Sequence, residues 1–284
     1  MRCAWKEFLS VLPLWMREDV DKLGTDTLKE LRLRFNAQPE LVLDKDSYWL
    51  ERCVTKDDLN YTVNAASRYS PWAAASSAMG YITIRGGHRI GLCGEILMRQ
   101  GELAGIREYH SLCIRVARDF TGIAVGLEKL KGSVLILGPP GCGKTTLLRD
   151  MIRQISQTEA AGVVDERGEL FPEGFENGKR IDVLVGCPKE KGVFMLLRTM
   201  GPDVIAVDEI TDEKDAVALL HAANCGVRLL ASAHSDSLRS FCRRAVYSSL
   251  LENHVFDAVV VLKKDYSYTV ERMTEWVTNG SVRY

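Results

Sequence analysis

Between residues 132 and 273, short apolar runs recur at regular intervals, separated by segments whose apolar positions follow a helical period. The predicted strands are 133–137, 161–165, 182–185, 204–208, 227–232 and 258–263, with a closing strand near 267–273. The predicted helices cover 145–156, 190–200, 212–225 and 236–251. Strands alternating with helices in this way are the signature of a parallel sheet in an α/β domain.

The first third has a different rhythm. Residues 3–20 carry Trp5, Phe8, Leu9, Leu12 and Trp15 at helical spacing, with Pro13 placed to kink or end that helix. Leu31 to Phe35 alternates as a half-buried strand does, and Leu41 to Leu43 is its candidate partner. Thr55-x-x-Asp58 reads as a capping box heading a helix that carries Leu59, Val63, Ala66 and Tyr69. Pro71 to Met79 is Ala-rich and reads as helical. Two alternating runs, Tyr81 to Arg85 and Arg89 to Leu97, flank Gly86-Gly87 in a hairpin pattern, and Ser111 to Arg118 alternates again. The expectation is an α+β N-terminal domain over 1–124 and an α/β domain over 125–284, joined near Thr121 to Lys131.

Composition narrows the function classes. A net charge of −1, with basic residues scattered, leaves no electrostatic footprint for nucleic acid. Eight cysteines without a C-x-x-C pair argue against a zinc site and a secreted disulfide framework, and fit a reducing cytoplasm. The chain has no apolar stretch of about 18–20 residues, so any membrane association is expected through a partner or a surface. The N-terminus lacks the pattern of a signal peptide.

One stretch carries the chemistry. After the apolar run Ser133 to Leu137 comes Gly138-Pro139-Pro140-Gly141-Cys142-Gly143-Lys144-Thr145-Thr146, the G-x-x-x-x-G-K-[ST] phosphate-binding loop, followed by a helical pattern. Main-chain N–H groups of such a loop cradle anionic phosphate, Lys144 reaches the β- and γ-phosphates, and the Thr145 hydroxyl ligates Mg²⁺. Ligands of α/β sheets bind beyond the C-terminal strand ends, so polar residues there are the next candidates. Asp208-Glu209 ends an apolar strand: Asp208 is expected in the Mg²⁺ shell, through water, and Glu209 at the attacking water. Asp165-Glu166 ends another strand, as a second acidic pair facing the same centre or as an ordinary strand-to-turn transition. His234, just past a strand, is either structural or a contact for the γ-phosphate. Arg85, Arg89, Arg115 and Arg118 lie on or beside the N-terminal strands, as solvated strand faces or as arginine fingers.

The phosphate loop, Asp165-Glu166, Asp208-Glu209 and His234 come in the order and rough spacing of the boxes of the secretion-superfamily ATPases, the motors of type II and type IV secretion and type IV pili. Gly80 to Arg89 and the Leu31-Arg32-Leu33-Arg34 strand resemble more closely a sporulation branch of that superfamily. The resemblance implies a RecA-like P-loop NTPase core with a smaller N-terminal domain. It further implies hydrolysis of ATP with Mg²⁺ by a ring hexamer. Glu209, Glu166, Lys144, His234, Arg85, Arg89 and Arg115 would be catalytic; Thr145, Asp208 and Asp165 would hold the metal. By the same resemblance the protein works in the mother-cell cytoplasm, peripherally at a membrane. There it would energise a channel built with other stage III sporulation membrane proteins. Two features depart from the larger motors: no four-cysteine module is present, and Ile210-Thr211-Asp212 stands where many carry Ile-Arg-Asp. A nucleic-acid-dependent RecA-like motor and a nucleotide-ordered scaffold that does not hydrolyse are the alternatives. An ABC-type subunit lacks support, since no Leu-Ser-Gly-Gly signature separates the acidic strand from the phosphate loop.

Overall fold

A computed structural model of the chain describes residues 1–43, 45–67, 80–99 and 101–273. The chain divides into two units: Met1–Asp119 with Pro172–Phe175, and Phe120–Phe171 with Glu176 onward.

In the first unit, helices α1 (Trp5–Ser10), α2 (Leu14–Thr27) and α3 (Lys56–Ser67) accompany strands β1 (Glu30–Arg34), β2 (Glu40–Val42), β3 (Ser47–Trp49), β4 (Tyr81–Thr83), β5 (Arg89–Arg99) and β6 (Glu102–Arg115). Pro13 separates α1 from α2 and stands at the head of the second helix, where its missing N–H costs nothing. The sheet is antiparallel throughout, in the order β3-β2-β1-β6-β5-β4. Alternation in β1 turns Leu31 and Leu33 into a core shared with Phe8, Leu12, Met16, Leu59, Ile90 and Ile114. The Thr55–Asp58 capping box forms: the Asp58 carboxylate accepts from the Thr55 N–H (2.9 Å) and hydroxyl (2.7 Å), and the Asp58 N–H donates to Thr55 Oγ1 (3.2 Å). Trp15 Nε1 also donates to Asp58 (2.9 Å), tying α2 to the head of α3.

Strand β3 and the early start of β6 were absent from the sequence expectation. Three register shifts break the β5–β6 ladder, which erases the two-residue period on which a sequence reading depends. Tyr69 and the helix expected over Pro71 to Met79 fall outside the described residues.

The second unit follows the predicted order closely. Strands β7 (Val134–Gly138), β8 (Ala161–Asp165), β9 (Ile181–Val185), β10 (Val204–Val207), β11 (Arg228–His234), β12 (Ala258–Leu262) and β13 (Tyr268–Arg272) form one sheet in the order β13-β12-β7-β11-β10-β8-β9. All neighbours are parallel except β12–β13. Helices α4 (Lys144–Ile155), α5 (Lys189–Thr199) and α6 (Glu213–Asn224) connect them. Successive side chains of a strand point to opposite faces, so β7 serves two cores. Val134 and Ile136 pack with Leu147, Leu148, Met151 and Ile152 of α4, whereas Leu135 and Leu137 join Val193, Leu196, Ala216 and Leu219 of α5 and α6.

The helix expected over 236–251 is broken into α7 (Leu238–Cys242), a 3₁₀ turn (Ala245–Tyr247) and α8 (Ser248–Glu252). Arg244 takes an extended conformation (φ −94°, ψ 121°) and its guanidinium donates to the His234 carbonyl (2.8 Å). The break brings the Phe241 and Tyr247 rings into a stack, with centroids 4.0 Å apart.

Candidate nucleotide-binding site

The phosphate loop leaves the buried strand β7 and enters α4 through Gly143, which takes a left-handed conformation (φ +92°) and offers no side-chain cap. The first N–H groups of α4 therefore have no partner from the helix itself and none from a capping side chain. A Cβ on Gly138 would lie 2.5 Å from Cys142 Sγ and 3.0 Å from the Leu262 carbonyl, so the tight loop requires glycine there.

Lys144 is buried, with 7% of its surface exposed. Its Nζ donates to the carbonyls of Gly138 and Pro139, both at 3.0 Å, and meets His234 Nδ1 at 2.9 Å. Burial pushes its pKa below the ordinary lysine value, against the opposing pull of Cys142, Asp208 and Glu209. His234 stands there because it is paired with Gly138 across the β7–β11 ladder. Its Nδ1 faces an ammonium and must accept, which leaves Nε2–H to donate to Glu209 Oε1 at 3.1 Å.

The acidic strand end closes the cluster. Thr145 Oγ1 donates to Asp208 Oδ2 (2.8 Å), and Ser232 Oγ donates to Asp208 Oδ1 (2.6 Å). Ser232 Oγ in turn accepts the Glu209 N–H (2.9 Å). Glu209 takes φ +53°, a conformation that non-glycine residues adopt at a cost of about 1–3 kcal/mol and that clusters at functional sites. Its second carboxylate oxygen lies 3.3 Å from Arg167. Lys144, Thr145, Asp208, Glu209 and His234 thus converge at the C-terminal ends of β7, β10 and β11.

The second acidic pair has other bonding partners among the described residues, although Asp165 lies near enough to feel the charge of Asp208. Asp165 is 1% exposed, and its carboxylate accepts main-chain N–H groups of Glu169 (2.8 Å), Leu170 (2.9 Å) and Phe171 (3.0 Å). Burial raises its pKa in spite of those bonds. Both oxygens fold the turn after β8 in this structure, and any part for Asp165 at the metal, expected through water, is left to proposal. Glu166 pairs instead with the buried Lys189 (2.6 Å), which also lies 3.4 Å from Asp215. That pairing places Glu166 beside the heads of α5 and α6, and its catalytic role stays a proposal.

The arginines lie in the first unit with local partners. Arg85 is 3.9 Å from Glu7 and 3.7 Å from Glu173, Arg89 stacks on Tyr81 at 3.8 Å, and Arg115 is 3.3 Å from Glu30. Arg118 donates to the carbonyls of Thr25 (2.8 Å) and Leu28 (2.6 Å), a structural use. Sequence reasoning assigned no role to Ser232, Arg167 or Lys189. Ser232 had a usable signal, a hydroxyl within the apolar run Leu229 to Ala233; the other two had none.

The donor set fits a nucleotide and its cation. The cradle has no room for a Cβ at Gly138 and no side-chain cap, and Lys144 is bonded to neutral acceptors that a phosphate oxygen would displace. Thr145 and Asp208 supply hard oxygen ligands. Mg²⁺ is commonly held by one or two such groups together with substrate phosphates and water.

The family model described as sporulation stage III, protein AA matches residues 6–272. The chain belongs to this family. Stage III sporulation protein AA of Bacillus subtilis (strain 168) is 36% identical over 279 residues, covering 91% of each chain. Among solved structures, the ATPase DotB of Legionella pneumophila matches with a TM-score of 0.61 at 16% identity, covering 92% of this chain and 80% of that one. The pilus retraction motor PilT, solved with bound ADP, matches with a TM-score of 0.60 at 18% identity over 86% and 76%. At those identities the likeness establishes the fold. This chain is a RecA-like P-loop core with an N-terminal domain, the fold it shares with those two structures.

Proposed function

We propose that this member of the family is a Mg²⁺-dependent ATPase of the secretion-motor type, and that it works as a hexamer on a membrane channel assembly during endospore formation. The observation that carries the reading is the convergence of Lys144, Thr145, Asp208, Glu209 and His234 on one phosphate loop. The substrate's phosphates take the place of the Gly138 and Pro139 carbonyls at Lys144 and accept the open N–H groups of α4. Thr145 and Asp208 hold the cation, which neutralises charge on the terminal phosphates when bound. Glu209 orients the attacking water, and His234 fixes the Glu209 carboxylate while sensing Lys144 through its other nitrogen.

Arg85, Arg89 and Arg115 are the candidates to supply further positive charge, within one chain or from a neighbouring copy. Among the described residues no helix is long and apolar enough to cross a membrane. The family relationship supports our reading of a peripheral position on the mother-cell side, beside other stage III sporulation membrane proteins. The near-neutral chain favours no role for nucleic acid.

Phosphate release, measured over a range of protein concentration, tests this reading. Lys144→Ala is expected to abolish binding of a fluorescent ATP analogue. Glu209→Gln should keep that binding but lower turnover by about 100-fold or more. Near-normal turnover in the Glu209 variant, or wild-type protein that binds ATP without hydrolysing it at any concentration, would refute the motor.

A further inference from the structure

One side of α4 is polar, buried and unused by the phosphate site. Arg149 is 5% exposed, Asp150 0% and Arg153 5%. Burying such groups costs several kcal/mol per charge unless each is thoroughly bonded. Arg153 lies 3.9 Å from Asp150 and 5.7 Å from the Phe171 ring, and the three residues also bond main-chain groups of irregular segments. Asp150 accepts the N–H groups of Gly122 (3.1 Å) and Ala124 (2.8 Å). Arg153 donates to the carbonyls of Phe120 (3.1 Å) and Glu176 (2.7 Å). Arg149 donates to the carbonyls of Leu170 and Glu169, the latter at 2.7 Å.

These segments share one property. The chain passes between the two units at 119/120, 171/172 and 175/176. Phe120, Leu170 and Glu176 are each at, or within two residues of, one of those passages. Apolar side chains of similar size would fill the same volume but leave the N–H and carbonyl groups there without partners. Charged side chains long enough to reach two main-chain groups each hold them all.

We propose that Arg149, Asp150 and Arg153 are positioning residues that carry the state of the phosphate site to all three passages between the units. The inference rests on the reading of the phosphate loop as a nucleotide site. The helix is a stiff rod of about 18 Å. Phosphate held at its N-terminal N–H groups and at Lys144 fixes the rod, and the rod's polar side fixes the passages. When the phosphate leaves, the rod is released and the passages loosen with it. Nucleotide turnover at one end of α4 thereby sets how firmly the chain is clamped where it enters and leaves the first unit.

The test is hydrogen exchange of the full chain, read by mass spectrometry, with and without the Mg²⁺ complex of a non-hydrolysable ATP analogue. Exchange at Gly122, Ala124 and residues 170–176 should slow about fivefold or more on binding, the size of an ordinary coupling between sites. Asp150→Asn keeps the shape of the side chain but gives up one acceptor oxygen. It should still bind the analogue within a few fold while losing the ligand-induced slowing at 122 and 124. Arg153→Met should lose the slowing near 176, and Arg153→Lys should restore part of it. A merely structural role would lower thermal stability in these variants but leave the ligand-induced difference intact. The proposal is overturned if bound analogue leaves the passages unchanged in the wild type, or if Asp150→Asn responds as the wild type does. Failure of the wild type to bind the analogue at all, by titration, sinks the nucleotide reading itself and is distinguishable from both.

Discussion

Ser232 offers the sharpest single test of how the catalytic edge is built. Its hydroxyl is fully buried, donates to Asp208 at 2.6 Å and accepts the Glu209 N–H at 2.9 Å. In Ser232→Ala, Asp208 loses a hydrogen bond to a charged acceptor, a change of about 1.5–3 kcal/mol, and the Glu209 N–H is left unpaired at about 1–3 kcal/mol. Asp208 and Glu209 are only partly buried, so water recovers some of this and a net loss of about 3 kcal/mol is expected. For a unit of this size, that lowers the thermal midpoint by about 6–12 °C. Turnover should fall further than stability suggests. Glu209 is held in its left-handed conformation by that N–H bond, and a carboxylate displaced by about 1 Å costs on the order of 100-fold in rate. Binding should stay within a few fold, since Lys144 and the loop amides make no contact with Ser232 among the bonds described. Thermal melts, analogue titration and phosphate release on the same preparations measure all three. A midpoint within about 2 °C of wild type together with turnover within twofold would show that the Asp208–Ser232–Glu209 arrangement is not what positions Glu209.

Two other outcomes follow from particular residues. Gly138→Ala places a methyl group 2.5 Å from Cys142 Sγ and should weaken analogue binding at least about tenfold by displacing the loop, which the same titration reads. In the first unit, His88 is buried with Nε2–H donating to the Ala4 carbonyl (3.0 Å) and Nδ1 accepting the Ala117 N–H (3.1 Å), and burial pushes its pKa down to about 4 from 6.5. The unfolded chain therefore takes up a proton first as pH falls, so stability is full above pH 6.5 and declines toward pH 4, by about 2 kcal/mol at pH 5. Urea unfolding at pH 7.5 and 5.0, followed by tryptophan fluorescence, should show that loss in the wild type and much less of it in His88→Gln.

Much of the second unit was legible because β7, β8, β10, β11 and β12 are buried on both faces and read as continuous apolar runs, while α4, α5 and α6 keep a helical period between them. The same logic fails where a strand meets water on one side and is bulged. The β5–β6 ribbon loses its alternation at three places, and β3 is only three residues long. The break at Arg244 has a different origin. Nothing in Cys242-Arg243-Arg244 forbids a helix; the break is fixed by the stacking of Phe241 on Tyr247 and the bond from Arg244 to the end of β11. Such tertiary partners are invisible to a local reading.

The two Asp-Glu pairs make the same point at the site. As sequence they are interchangeable: each follows an apolar β-branched run and precedes a turn. Along the chain, Asp165 is the nearer of the two to the phosphate loop. In the sheet the order is β7-β11-β10-β8, so β10 lies two strands from β7 and β8 lies three. The extra strand removes Asp165 from the loop by about 5 Å, the spacing of neighbouring strands. Arg167-Gly168 then lets the chain fold back, so that the N–H groups of residues 169–171 cap its carboxylate. Asp208, one strand closer, meets the Thr145 hydroxyl instead. Which acidic residue meets Thr145 directly therefore depends on strand order, a property of the crossovers and not of the residues at either strand end.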